Sequence, residues 1–118
     1  MIWGFLQQEL ESAMQLKLII DDWSMNLEIT DDYLQQMQDS FDKMDRDMDQ
    51  GRRLGQQFVN KPDQKQRCQI AADKLLAALE ANNEILSLLM GGYIVSRMDG
   101  VKQVIIDNNG EPQNTEFK

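Results

Sequence analysis

Apolar side chains recur along residues 3–20 at helical intervals. Trp3, Leu6, Leu10, Ala13 and Met14 fall near one face, with Gln7, Gln8, Glu11 and Gln15 away from it. This spacing predicts a first helix over about 3–21. Its start, Trp3-Gly4-Phe5-Leu6, is apolar enough to need docking on the domain or at an interface. From Trp23 to Thr30 the period shortens to two: Trp23, Met25, Leu27 and Ile29 alternate with Ser24, Asn26, Glu28 and Thr30, as in a half-buried extended segment. The same stretch also fits a heptad seam through Leu16, Ile20, Trp23 and Leu27, which would make it one continuous helix. Thr30 followed by Asp31 and Asp32 has the form of an N-cap with acids in the first turn, and favours a break.

Leu34, Met37, Phe41, Met44 and Met48 repeat at intervals of three and four, predicting a second helix over about 31–53 that Gly51, Arg52, Arg53 and Gly55 bring to an end. Asn60-Lys61-Pro62-Asp63 reads as a turn and a helix start. A third helix over about 62–98 would carry a seam through Cys68, Ala72, Leu75, Leu79, Asn82, Leu86, Leu89 and Tyr93. Asn82 would either set register or oligomeric state or lie exposed at the seam edge. Gly91-Gly92 inside this run costs roughly 1 kcal/mol per glycine relative to Ala, so a close approach of another helix backbone, or a hinge, is expected there. After Asp99-Gly100, the run Val101–Ile106, the turn residues Asp107–Gly110 and the segment Thr115–Phe117 predict a β-hairpin over about 101–117. It must be covered by the helices, by residues 23–29 or by a second copy. The expected fold is mainly α: a helical hairpin or three-helix bundle with a short C-terminal β-hairpin, one domain over 1–118.

Charge sharpens this picture. Twenty acidic and twelve basic side chains give a net charge of −8, and residues 1–50 alone carry −9. Such a balance argues against nucleic acid or an anionic membrane as partner. No apolar run approaches the roughly 20 residues of a bilayer-spanning helix. Cys68 is the one cysteine, so no intrachain disulfide can form. With nothing resembling a secretory leader, a cytoplasmic location is the default expectation. Histidine is absent, which excludes imidazole ligands and histidine-based triads.

Candidate chemistry is sparse. Asp45-Arg46-Asp47-Met48-Asp49-Gln50-Gly51 superficially resembles a calcium loop, but Gln50 and Gln56 stand where such a loop needs glycine and a bidentate glutamate. Asp42, Asp45 and Asp49 share a helix face and could hold a hard cation such as magnesium; a solvated acidic face is the plainer reading. All-helical nucleotide pyrophosphohydrolases bind magnesium through paired Glu-x-x-Glu/Asp motifs, a pattern that Asp42-x-x-Asp45 does not match, so no family is claimed. Cys68 has no base to activate it, and no nucleophile elbow, phosphate loop or dinucleotide fingerprint occurs.

No motif therefore names a function, and no cofactor is expected. The economical expectation is an acidic protein-interaction or regulatory protein acting as a homodimer. Its contact residues would be Met37, Phe41, Met44, Met48, Leu86 and Leu89, and the Asp39, Asp42, Asp45 and Asp49 face would meet a basic protein partner or the chain's own Arg52, Arg53, Lys61, Lys65 and Arg67. The alternatives are a magnesium-dependent nucleotide phosphohydrolase using Asp42, Asp45 and Asp49, and an acidic mimic of nucleic acid.

Overall fold

The computed structural model describes residues 12–118. Its first element is a strand, β1 (Ala13–Ile20), on which Leu16, Leu18 and Ile20 are buried at alternate positions while Gln15 and Lys17 face solvent. A two-residue turn follows, with Asp21 in the left-handed region that Asp tolerates (φ 52°). Strand β2 (Trp23–Thr30) then returns antiparallel in unbroken register, from Ile20 against Trp23 to Ala13 against Thr30.

The Thr30 hydroxyl accepts a hydrogen bond from Tyr33 N (3.0 Å) and caps α1 (Asp31–Gln36). The chain breaks at Met37 and continues as α2 (Gln38–Met48). Gly51 (φ 93°) leads into a small hairpin of β3 (Arg52–Leu54) and β4 (Gln57–Val59). Asp63 and Gln66 form a reciprocal capping box that starts α3 (Gln64–Glu80). The Asn83 side chain caps α4 (Glu84–Arg97). Strand β5 (Gln103–Ile105) lies parallel to β1, and after a 3-10 turn at Pro112–Asn114, β6 (Glu116–Phe117) pairs antiparallel with β5. The principal sheet has the order β2-β1-β5-β6.

One face of this sheet supplies Leu16, Leu18, Ile20, Ile29 and Val104 to a core completed by Phe41 and Met48 of α2, Cys68, Ala72 and Leu75 of α3, and Met90, Tyr93 and Ile94 of α4. Helix α4 is the central piece. A Cβ on Gly91 would meet Leu27, Ile29 and Leu16 of the sheet, and one on Gly92 would lie 3.0 Å from both Phe41 Cζ and Tyr33 Cε2. The close approach expected at this glycine pair is real, but side chains of β1, β2, α1 and α2 make it, not a helix backbone. Ala at position 92 gains about 1 kcal/mol of helix propensity and must push two packed rings, for which overpacking costs about 1–3 kcal/mol. We expect Gly92→Ala to be destabilising in chemical denaturation, and more so than Gly91→Ala, which meets the movable end of half-buried Leu27.

The architecture is mixed α/β, which corrects the mainly α expectation and the three-helix bundle with it. Of the helix predicted over 3–21, residues 13–20 are a strand, because the alternation of Leu16, Leu18 and Ile20 governs there; the apolar start at Trp3–Leu6 lies outside the described residues. Residues 23–30 are extended, as their period of two indicated. The helix predicted over 31–53 is interrupted at Met37 and stops at Met48. The one predicted over 62–98 is two helices, divided where Asn82 adopts φ 54°, so this residue ends a helix and is not a polar seam position. Pro62 precedes the helix cap, and α3 begins two residues later. The hairpin at 101–117 forms, with Val104 against Phe117, but as part of a larger sheet.

Candidate functional site

The three carboxylates singled out on α2 converge with side chains from α3 and α4. Asp45 Oδ1 accepts from Tyr93 Oη (2.5 Å) and Arg67 Nη1 (3.2 Å), and its Oδ2 accepts from Arg97 Nε (3.0 Å). Arg97 Nη2 donates to Asp42 Oδ1 (2.8 Å), and Arg67 Nη2 to Asp49 Oδ1 (2.5 Å). Further guanidinium donors are used as well: Arg67 bonds the carbonyls of Pro62 and Asp45, and Arg97 bonds Gln38 Oε1 and Ser96 Oγ. Gln64 Nε2 donates to the Arg97 carbonyl. The Arg97 guanidinium lies 5.6 Å from the Tyr93 ring centre and 5.9 Å from that of Phe41, within cation–π range of both.

Local sequence explains how the pieces meet. Asp42, Asp45 and Asp49 are three and four residues apart and share one face of α2, while Tyr93 and Arg97 are four apart on α4. Arg67 sits in the first turn of α3, which the Asp63 cap fixes. A depression of about 350 Å3 opens over Asp45, Pro62, Gln64, Arg67, Tyr93 and Arg97.

Its electrostatics are those of a clamp. Burial alone would raise the Asp45 pKa, but the hydrogen bonds from Tyr93, Arg97 and Arg67 outweigh it and hold this carboxyl below its usual value. Burial and the Asp45 hydrogen bond push the Tyr93 phenol up, so it remains a proton donor. Burial also pushes the Cys68 thiol up to about 12, the opposite of an activated nucleophile. Any cation at Asp42, Asp45 and Asp49 would have to displace two guanidinium groups. Among the described residues no cluster of three or more Cys, Asp or Glu is disposed to hold a metal ion.

The stripe expected to form an interface is used inside the chain. Phe41 and Met48 are buried in the core, and Met37, Met44, Leu86 and Leu89 are half-buried against it. The single long third helix expected to carry Leu86 and Leu89 in one seam with Cys68 and Leu75 is divided by the turn at 81–83. No described helix is long and apolar enough to cross a membrane.

Elsewhere, the outer edge of β2 is unpaired among the described residues. This strand is eight residues long, ends the sheet on one side and carries no proline, lysine or bulge, the usual guards of an exposed edge. A two-residue turn closes on a hydrogen-bonded pair, so alternation directs the backbone N–H and C=O of Ser24, Asn26 and Glu28 away from β1. No described residue bonds them. The opposite edge, β6, is only two residues long. The period-two reading of residues 23–30 pointed to this strand; nothing local in the sequence marked it as an edge, or tied Arg97 to Asp45. No protein-family model, curated protein or solved structure matches this chain, so the site is read from its geometry alone.

Proposed function

We propose that the protein is a small acidic protein-interaction module, cytoplasmic and non-catalytic, that acts as a homodimer through the free edge of β2. The observation that carries this reading is the long edge itself, unpaired among the described residues and carrying a single charge at Glu28, a ready template for strand addition. An antiparallel two-fold pairing centred on Asn26 places Glu28 of one copy opposite Ser24 of the other, so the two glutamates do not oppose each other. It also brings Met25 against Leu27, both half-buried within one chain. The clamp around Asp45 serves the fold, tying α2 to α3 and α4 through Arg67, Tyr93 and Arg97. The phosphohydrolase alternative draws no support from carboxylates already held by Arg67 and Arg97, and the nucleic-acid mimic rests on charge alone.

Light scattering at micromolar concentration should give the mass of a dimer. Proline is tolerated on an edge strand where its missing N–H would face solvent. Asn26→Pro should therefore leave the circular dichroism spectrum unchanged and yield a monomer, since it removes the central bonds of the pairing. A wild-type monomer, or a dimer that survives the substitution, would refute the edge as the interface.

A further inference from the structure

A second surface lies past the turn end of the β1–β2 hairpin, away from the centre of the free edge. There Ile20, Asp21, Asp22 and Trp23 face Leu76, Leu79 and Glu80 of α3, with Asn108 closing one end, around a groove of about 500 Å3. Trp23 is 51 % exposed, although it belongs to the same face of β2 as fully buried Ile29. The floor is apolar and aromatic, and the rim is acidic.

We propose that this groove docks a basic peptide segment, seating a lysine or arginine side chain over the Trp23 indole between Asp21, Asp22 and Glu80. The proposal deepens the reading of the protein as an interaction module by naming the chemistry of its second partner. Charge complementarity argues for it. On α2, Asp42, Asp45, Asp47 and Asp49 each have a basic partner within the chain, whereas among the described residues no ion pair neutralises Asp21, Asp22 or Glu80. The acidic field continues into Asp73 of α3 and Asp107 beside Asn108. Burial, and then repulsion from Asp107, raise the Asp73 pKa, as expected where carboxylates face one another without a cation between them.

The floor decides what kind of cation fits. A small inorganic ion would leave Trp23, Leu76 and Leu79 uncovered. A lysine or arginine side chain lays its methylene stem on such a surface and presents its head to the carboxylates and the indole face. An apolar peptide would cover the floor but strip water from the acids without compensating them. An anionic partner would be repelled.

Isothermal titration with a synthetic peptide of alternating arginine and leucine tests this on the full chain. We expect binding that weakens with added salt and falls about tenfold in Trp23→Leu, and similarly in the triple variant Asp21→Asn, Asp22→Asn, Glu80→Gln. The comparison triple Asp39→Asn, Asp99→Asn, Glu116→Gln removes equal charge from exposed positions outside the groove and should bind like the wild type. A matching glutamate–leucine peptide should not bind. Absence of binding, or equal loss in both triples, would overturn the proposal, the latter revealing unspecific attraction to a protein of net charge −8. Light scattering on the same samples keeps the outcomes separate: a dimer that ignores the peptide sinks the groove and spares the edge.

Discussion

Replacing Asp45 with Ala should lower the free energy of unfolding by about 2 kcal/mol, because Arg67, Arg97 and Tyr93 lose a shared charged acceptor while Asp49 and Asp42 still pair with the two arginines. The Arg67 and Arg97 side chains are only 12 % and 18 % exposed, and both lose an acceptor at once, as does the Tyr93 hydroxyl. Urea denaturation reads the loss, with Asp47→Ala as comparison. That carboxylate bonds only exposed Lys43, an i,i+4 surface pair that solvent screens, so its loss should be small. Equal effects from the two substitutions would mean that the clamp does not hold α2 against α3 and α4. The pH dependence has a definite sign. Asp45 has a lower pKa folded than unfolded, so its contribution is fully present above the unfolded value and disappears as pH falls through the folded one. The stability gap between wild type and Asp45→Asn should therefore be constant near neutrality and close below about pH 4.

Phe41→Ala should cost about 4 kcal/mol, in the range for deleting a fully buried aromatic ring. Phe41 packs edge-on against Tyr93, with ring centres 6.2 Å apart, and lies beneath the Arg97 guanidinium. Removing it opens a cavity beside Gly92, which has no side chain to relax into the space, and loosens the arginine that grips Asp45. Adding Gly92→Ala to Phe41→Ala should recover part of the loss, since the ring that obstructs a Cβ at position 92 is gone. Strict additivity of the two substitutions in urea midpoints would show that the rings and the glycine are not in the contact described.

Local chemistry in the sequence identified several boundaries: Thr30 caps a helix, a helix starts after the turn at Asn60–Asp63, and Asp107–Gly110 turns the chain before β6. The helix expected over 3–21 comes from the spacing of Trp3, Leu6, Leu10, Ala13 and Met14, and the rival reading of one continuous helix comes from a coincidence of periods. Leu16 and Ile20 are inward positions of β1, Trp23 and Leu27 inward positions of β2, and the two-residue turn between the strands shifts the parity by one. Spacings of four, three and four result, the same as those of a heptad seam. Ile19, apolar although it lies on the outer face, further hides the alternation of β1. A similar accident carried a false seam through Asn82, whose left-handed backbone next to the Asn83 cap is a helix stop followed by a helix start. The acidic face of α2 was visible as spacing. Its meaning was not, since Arg97 lies 52 positions from Asp45 and only the packing of α4 under α2 unites them.

The parallel pairing of β1 with β5 also bears on how the chain reaches its native state. Leu18 must wait for Val104, 86 positions later, so the β1–β2 hairpin and every helix can form while the middle of the sheet is still absent. At about 5–20 residues per second, that interval lasts roughly ten seconds on a ribosome. During it β1 offers a second bare edge, flanked by Leu16, Leu18 and Ile20, to any neighbouring nascent chain. Contacts of such long sequence separation also slow folding itself. Aggregation pressure on this protein is thus concentrated before residues 103–117 arrive, and a chaperone that shields β1 would act on an intermediate whose helices are already made.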